Sequence, residues 1–452
     1  MFERVLVANR GEVAVRVIRA LHELGVEAVA VYSTADHDTL HVELADQAVC
    51  IGPPSAAESY LRISNIVAAA ETTGCDAVHP GYGFLAENAE FVRACDDSGL
   101  VFIGPTAEVV DEMGDKVRAK DAMRAAGVPL VPGSDGASGL DALRSAAADV
   151  GFPVLLKAAA GGGGKGMRIV ASANELEGAF SAASAEAEAA FGDGSMYVEK
   201  LMSPARHVEI QVLCDDEGGV LTLGERECSI QRRHQKLVEE SPSAALDADT
   251  REDMEGTVER ACEAIGYRNA GTFEFLVGPD GAFYFIEVNC RLQVEHAVTE
   301  LVTGIDIVRE QVRIAAGGRL EVAGRATRSG HAIEIRINAE DPARGFLPAP
   351  GTITRFDPPL GPGVRVDTAV RSGSEIPPYY DSMIAKLIVW DDTRPTAIVR
   401  AERALRELVV EGIATTRDLA LDVLGSAEFR GGDYSTSTLG DLEGRLASLA
   451  PA

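Results

Sequence analysis

The sequence has few cysteines and spaces them without pattern. Seven are scattered over 452 residues with no Cys-x-x-Cys pair, which excludes a disulfide framework and a structural zinc knot. Reduced thiols and a cytoplasmic location are expected. Positive charge is also scarce. Lys plus Arg number 42 against 70 Asp plus Glu, a net charge of −28, which excludes a general nucleic-acid or anionic-membrane surface. No apolar run approaches the length of a membrane span. The charged start, MFERVLVANRGEVAVRV, lacks the apolar stretch of a secretory signal. Aromatics are only 5% of the chain, yet hydrophobic residues make up 46%. That supplies several cores, and the length suggests about three domains.

Against this background one glycine-rich stretch stands out: AAAGGGGKGMR, 158–168. Two phosphate-loop patterns can be tested on it. A P-loop requires G-x-x-x-x-G-K followed by Ser or Thr. Here Ala159 stands at the first glycine and Gly166 at the hydroxyl position, so the pattern fails twice. Gly161, Gly163 and Gly166 fit G-x-G-x-x-G, but a dinucleotide site requires a helix after the glycines. The flanks, FPVLLKAAA and MRIVAS, both read as strands. The arrangement is strand, glycine loop, strand: either a flap over a ligand or a floppy hairpin.

The chain organises around this flap. RVLVA, VEAVAVYS, DAVHPGYG and GLVFIG read as strands alternating with helices such as GEVAVRVIRALHELG and NIVAAAETTG. That alternation predicts a parallel sheet covered on both faces, over 1–114. A linker helix is expected in 115–130. The flap belongs to a unit at 131–202, bounded by Pro129, Pro132 and Gly133 on one side and Met202-Ser203-Pro204 on the other. One connection at each end suits a hinged lid. The rest, 203–452, is strand-rich and then helix-rich. In HVEIQVL, His207, Glu209 and Gln211 share one strand face, and in AIEIRIN Glu334, Arg336 and Asn338 do. Such polar faces are ordinarily solvated.

The most discriminating stretch is GTFEFLVGPDGAFYFIEVN, 271–289. Asp280-Gly281 signals a hairpin. A turn centred there places Glu274 opposite Glu287, among Phe273, Phe275, Phe285 and Ile286. Opposed carboxylates repel, and a cation between them removes the conflict. Asn289 adds an oxygen on the same face, and hard oxygens beside a phosphate site suit magnesium. An ordinary solvated strand is the plain alternative. Cations gather in QRRHQK, 231–236, and single lysines stand at Lys116 and Lys157, the latter just before the flap. Lysine meets phosphate as a point charge.

Together these segments resemble the biotin-dependent carboxylases of the ATP-grasp superfamily, and more narrowly a stand-alone biotin carboxylase subunit. The resemblance covers essentially the whole chain. It runs through VLVANRGEVAVRVIRA, HPGYGFLAEN (79–88), GGGGKGM, Glu199-Lys200, RHVEIQVL and ERECSIQRRHQK. It continues through GTFEFL, FIEVNCRLQVEH, INAEDP and YYDSMIAKL. It implies a mixed α/β and α+β architecture. This is an ATP-grasp fold with an N-terminal Rossmann-like domain, a glycine-rich lid and a C-terminal domain. The implied activity is ATP-dependent carboxylation of biotin by bicarbonate through carboxyphosphate. That is the first half-reaction of an acyl-CoA carboxylase such as acetyl-CoA carboxylase, which serves fatty acid biosynthesis.

By the same resemblance, Lys116, Lys157, Gly163, Gly164, His207, Gln231 and His234 contact ATP, and Glu199, Lys200, Leu201 and Met202 line the adenine pocket. Glu274, Glu287 and Asn289 hold magnesium, with manganese as a substitute. Lys236, Arg291, Gln293, Val294 and Glu295 surround bicarbonate, with Glu295 as the base. Arg336 stabilises the enolate-like form of biotin, and Tyr82 is a further biotin contact. The chain ends without a biotinyl-lysine motif, so biotin is expected on a separate carrier protein. Carboxyltransferase subunits and a second copy of the chain are the other expected partners, with no nucleic acid or membrane.

The sequence departs from the family pattern at Ala160, Lys165, Cys290 and Ala385. Cys290 faces away from Asn289 and Arg291 if the strand continues, and towards them if a turn intervenes. Two rival readings differ in what they require. Another ATP-grasp ligase would not need RRHQK and RLQVEH. A regulatory nucleotide-binding subunit would not need Glu274, Glu287 and Glu295.

Overall fold

The apolar runs at the start of the chain build an all-parallel sheet of five strands. In a computed structural model that describes residues 1–134, 139–159 and 167–449, the strand order is Gln47–Gly52, Glu27–Ser33, Arg4–Val7, Ala77–His79, Val101–Phe102. Alternate side chains enter two different cores. Leu6, Val29, Val31 and Val78 point into one, and Val5, Val7, Ala28, Ala30 and Ala77 into the other. This is the period of two expected of a strand, and burial on both faces explains why the runs read as continuously apolar.

The strand order reverses between Arg4–Val7 and Ala77–His79. Such a switch point leaves a crevice at the carboxyl ends of the strands. Here the two loops that follow those strands are tied together. Asn9 Nδ2 donates to the carbonyls of Pro80 (2.7 Å) and Tyr82 (2.8 Å).

A second sheet carries the strands on either side of the glycine run. Val154–Ala158 lies between Arg168–Val170 and Met196–Lys200, antiparallel to both. Helices Leu140–Val150 and Ala173–Phe191 cover it. Its core, built from Leu143, Ala147, Val154, Leu156, Val170, Leu176 and Val198, is separate from the others. At its base, Ser134 N donates to Val198 O (2.8 Å) and Lys200 N to Pro132 O (2.7 Å). A Cβ on Gly133 would lie 2.2 Å from the Val198 carbonyl, so this close approach requires glycine.

The third sheet has nine strands. Its path runs Phe283–Asn289, Asn269–Val277, Arg206–Cys214, Val220–Arg232, Gln235–Ser241, His331–Asn338, Met383–Asp391, Val364–Thr368, with Gly324–Arg325 beside Val220–Arg232. The face carrying His207, Glu209 and Gln211 is buried, not solvated as ordinary strand statistics suggest; Glu209 and Gln211 are wholly inaccessible. Helix His296–Thr303 packs across this face. No helix among the described residues is long and apolar enough to cross a membrane.

The hairpin register corrects one expectation and keeps its consequence. The turn is not the two-residue Asp280-Gly281 type. Gly278 N donates to Ala282 O (2.8 Å) around three loop residues, with Gly281 at φ +79°. A bulge between Phe285 and Glu287 then restores the register. Phe275 pairs Phe285, yet Glu274 pairs Glu287 and Thr272 pairs Asn289.

Helix His296–Thr303 also carries a charge relay to the first domain. Glu300 accepts from Arg16 Nη2 (2.9 Å), Arg365 Nη1 (2.6 Å) and Ile307 N (2.9 Å). Burial alone would raise its pKa, but Arg16, His296 and Arg365 hold it at about 2, below the ordinary 4.5. The stabilisation is therefore present above pH about 4.5 and lost as pH falls towards about 2. Glu300→Gln should lower stability at pH 7 by about 2 to 3 kcal/mol. Urea denaturation at stepped pH should show the gap to wild type narrowing below pH about 4.5.

Candidate active site

The buried face of the nine-stranded sheet brings most of the expected polar residues to one place. Glu274 is the hub. Its carboxylate accepts from Lys236 Nζ (3.1 Å), Asn289 Nδ2 (2.9 Å) and Gln293 Nε2 (3.2 Å), and is bonded to His207 Nε2 (2.8 Å). Burial would raise its pKa, but Lys236 and His207 outweigh burial and hold it far below the carboxylate range. Lys236 also donates to Glu209 (2.6 Å) and Glu295 (2.5 Å). Burial would discharge this lysine, and the surrounding negative groups keep it charged.

Glu295 sits just ahead of helix His296–Thr303 and is fully buried. It accepts from Lys236 on Oε1 and from Arg336 Nη2 (3.0 Å) on Oε2. Burial acts to protonate it, but Lys236, Arg336 and Arg226 keep it ionised, with a pKa well below the ordinary range. Arg336 in turn donates to Glu239 (2.6 Å). Burial pushes the Glu239 pKa up to about 7. Arg291 completes the wall, donating to Asn289 Oδ1 (2.9 Å) and Gln293 Oε1 (3.1 Å). The Val294 carbonyl accepts from the buried Lys386 (2.6 Å).

Glu287 differs from its partner across the hairpin. It is exposed and makes no hydrogen bond or ion pair among the described residues. Desolvation and then the Glu274 charge raise its pKa, and Lys116 opposes them. Two opposed carboxylates offer hard oxygens that fit a divalent cation; the Asn289 amide turns its NH2 to Glu274 and its oxygen to Arg291, so it would have to rotate to add a ligand.

The ATP candidates are divided among this sheet, the Leu140–Lys200 unit and the helix Lys116–Ala125. Gln231 Nε2 donates to His207 Nδ1 (3.4 Å). Lys157 pairs with Glu199 (2.6 Å). Burial and then the charges of Lys157 and His207 lower the His234 pKa. Burial likewise lowers Lys116. The Lys200 ammonium turns away, to the carbonyls of Gly151 (2.8 Å) and Phe152 (3.4 Å). Leu201 N donates to Pro153 O (3.2 Å), and Met202 approaches Gly278 in the hairpin loop. Gly163 and Gly164 lie outside the described residues. Tyr82 is half-buried with its hydroxyl committed to Glu12.

The basic cluster of QRRHQK divides. Lys236 turns into the site, and Arg232 pairs with Glu443 (3.2 Å) and covers the Phe346 ring. Arg233 and His234 make the turn, with φ of +48° and +68°. Cys290 is buried, and burial pushes its thiol up, so it faces the core. All seven cysteines are free thiols.

Sequence reasoning missed several members. Lys120 holds Glu199 from the linker helix Lys116–Ala125 and lies over the Tyr197 ring. Arg226 is fully buried and donates to Glu209 (2.5 Å), Gln211 (2.7 Å), Thr272 (3.0 Å) and Thr299 (3.0 Å). The alternation of HVEIQVL put Glu209 on the face of His207, and its burial there is what draws it into the network. Nothing local marks Arg226 or Lys120.

The two opposed glutamates should respond differently to neutralisation. Glu274→Gln leaves Lys236 and His207 short of a buried counter-charge, and should lower ligand-free stability by about 1 to 3 kcal/mol. Glu287→Gln relieves repulsion and should leave the thermal midpoint unchanged or slightly higher. Calorimetry on both variants without ligand checks the asymmetry; equal losses would contradict it.

The same residues can be set against known proteins. Residues 1–110 match the family described as biotin carboxylase, N-terminal domain. Residues 115–323 match carbamoyl-phosphate synthase L chain, ATP binding domain, and residues 334–441 match biotin carboxylase C-terminal domain. The chain is 53% identical over 442 residues to biotin carboxylase of Nostoc sp., covering 96% of this chain and 98% of that one. It is 51% identical over 442 residues to biotin carboxylase 1 of Bacillus subtilis, covering 97% and 98%. The crystal structure of the Campylobacter jejuni biotin carboxylase–βγ-ATP complex superposes with a TM-score of 0.95 at 49% identity, covering 98% and 99%. The biotin carboxylase domain dimer of Hydrogenobacter thermophilus 2-oxoglutarate carboxylase, in complex with MgADP, ADP and bicarbonate, superposes at 0.94 with 48% identity, covering 98% of each chain. Agreement over nearly the whole length, in sequence and in fold, places this chain in the biotin carboxylase family.

Proposed function

We propose that this chain carboxylates biotin with ATP and bicarbonate, and that the buried sheet face divides the work among its residues as follows. The observation that carries the reading is Glu295, a carboxylate held ionised between Lys236 and Arg336, with the Arg291 guanidinium, bonded to the Gln293 oxygen, in the same cluster. That is a base next to an anion site.

Bicarbonate binds against Lys236, Arg291, Gln293 and Val294. Its negative charge draws Lys236 away from Glu295. Losing one of the charges that hold its pKa down makes Glu295 a stronger base, so the arriving substrate helps activate the group that deprotonates it. The bicarbonate oxygen then attacks the γ-phosphate of ATP, and ADP leaves carboxyphosphate. Lys116, Lys157, His207, Gln231 and His234 hold the nucleotide phosphates and ribose. Glu199 to Met202 meet the adenine. Glu274, Glu287 and Asn289 would hold Mg2+, which offsets the phosphate charge; Mn2+ would suit the same oxygens.

Residues 131–202 act as a lid that closes over the cleft and excludes water from carboxyphosphate. Carboxyphosphate then breaks to CO2 and phosphate; that phosphate takes the biotin N1 proton and N1 attacks CO2, while Arg336 faces the ureido oxygen on which negative charge builds, and the Tyr82 ring flanks it. Biotin comes on a carrier protein, the final acceptor is chosen by a carboxyltransferase partner, and two copies of this chain pair.

The purified chain should hydrolyse MgATP in a bicarbonate-dependent way, faster with free biotin. Stimulation by a different small acceptor, and not by biotin, would overturn the reading. Arg336→Ala should cut biotin carboxylation by about 10²- to 10³-fold, while biotin-independent ATP cleavage falls far less. Equal loss of both rates would move Arg336 to the nucleotide step.

A further inference from the structure

Arg291 reaches the anion site already gripped from another domain. Its Nε donates to Glu87 Oε2 (2.7 Å). The other oxygen of Glu87 accepts the main-chain N–H of Cys290 (3.0 Å). One carboxylate therefore holds both the side chain of Arg291 and the backbone immediately before it. The far edge of the guanidinium is left to Asn289, Gln293 and the Leu292 carbonyl.

Glu87 is itself well aimed. It follows Ala77–His79, at the switch point of the parallel sheet. The loop turns on Gly81, Gly83 and Phe84, all at positive φ. Leu85 and Ala86 are buried. Asn88, the next residue, caps helix Ala89–Asp97 by accepting Phe91 N–H (2.8 Å). Glu87 thus projects from a pinned segment although its own side chain is 39% exposed.

Three carboxylates attract Arg291: Glu87, Glu295 and Glu274. Of these, only Glu87 takes a hydrogen bond from it among the described residues. Without that anchor, the guanidinium is free to turn towards Glu295 or Glu274. It would then neutralise the base or crowd the cation ligands, and the incoming anion would lose a donor edge.

We propose that Glu87 is the positioning residue for bicarbonate: by holding Nε of Arg291 and the Cys290 N–H it presents the guanidinium to the anion and keeps it off Glu295. The proposal rests on the assignment of Arg291 to bicarbonate. It also gives the HPGYGFLAEN segment a role in the chemistry of a distant sheet.

The test is steady-state ATP cleavage by the full chain, varying bicarbonate at saturating MgATP and MgATP at saturating bicarbonate. Glu87→Gln keeps the shape but offers one acceptor to two N–H groups. Its KM for bicarbonate should rise about tenfold or more, since a charge-assisted hydrogen bond is lost. Its KM for ATP should stay within about twofold of wild type, with an unchanged thermal midpoint. Glu87→Asp retains the charge and should fall between the two. Glu90→Gln removes an exposed charge three residues on and should leave both constants alone. An unchanged bicarbonate KM in Glu87→Gln, or equal rises in both KM values, would overturn the proposal. If Glu87→Gln melts early, Glu87→Asp decides: a selective rise supports the proposal and none overturns it. A wild-type chain without bicarbonate dependence would instead overturn the assignment of Arg291 itself.

Discussion

The structure depends on one ammonium group placed among buried carboxylates. Lys236 lies within hydrogen-bonding distance of Glu209, Glu274 and Glu295, all three nearly or wholly inaccessible. Uncompensated, these carboxylates would cost several kcal/mol each to bury. Arg226 takes the far side of Glu209, and His207 and Arg336 take those of Glu274 and Glu295. Removal of any one cation leaves a buried carboxylate with one cationic partner where it had two. Such a network does not maximise stability. It holds ionised groups in fixed positions, the kind of preorganisation that electrostatic catalysis requires.

The network also explains why the site straddles several elements. Its members come from strands Arg206–Cys214, Val220–Arg232, Gln235–Ser241, Asn269–Val277 and His331–Asn338, and from the start of helix His296–Thr303. One strand alone supplies a polar face that water would solvate. The helix laid across it removes the water, and only then do the charges need one another. Glu300, deeper in that helix, ties it by Arg16 and Arg365 to the first domain and to the far end of the sheet.

A second set of charges lies at the base of the Leu140–Lys200 unit. Glu199 stands where the Leu140–Lys200 unit meets the body, and it is held from both sides, by Lys157 of its own sheet and by Lys120 of the linker helix. The apolar core of that unit is self-contained, and among the described residues it meets the preceding linker through the Lys120–Glu199 ion pair and main-chain hydrogen bonds that join Val198 to Ser134 and Lys200 to Pro132. Polar joints of this kind allow a unit to move without tearing a core.

Much of this was legible in the sequence. The alternation of strand and helix marked the parallel sheet, the strand flanks of the glycine run marked the small antiparallel one, and a turn signal beside two glutamates brought Glu274 opposite Glu287. That pairing came out right although the turn was read wrongly. A three-residue loop shifts the register by one, and the bulge at Ile286 shifts it back; neither leaves a trace in the alternation, because each looks local and ordinary. The resemblance named candidate residues for the site, but their contacts were beyond it. Whether the face of HVEIQVL meets water or a helix is decided by what packs there, not by its own pattern. Arg226 and Glu87 lie in segments that carry the resemblance, and Lys120 does not, but the sequence gives none of the three its partner, because those partners lie 17, 204 and 79 positions away. Periodicity and motif report which residue types a segment offers and which side they face; the burial that turns those residues into a charge network is a property of distant segments brought together, and it exists only in the folded chain.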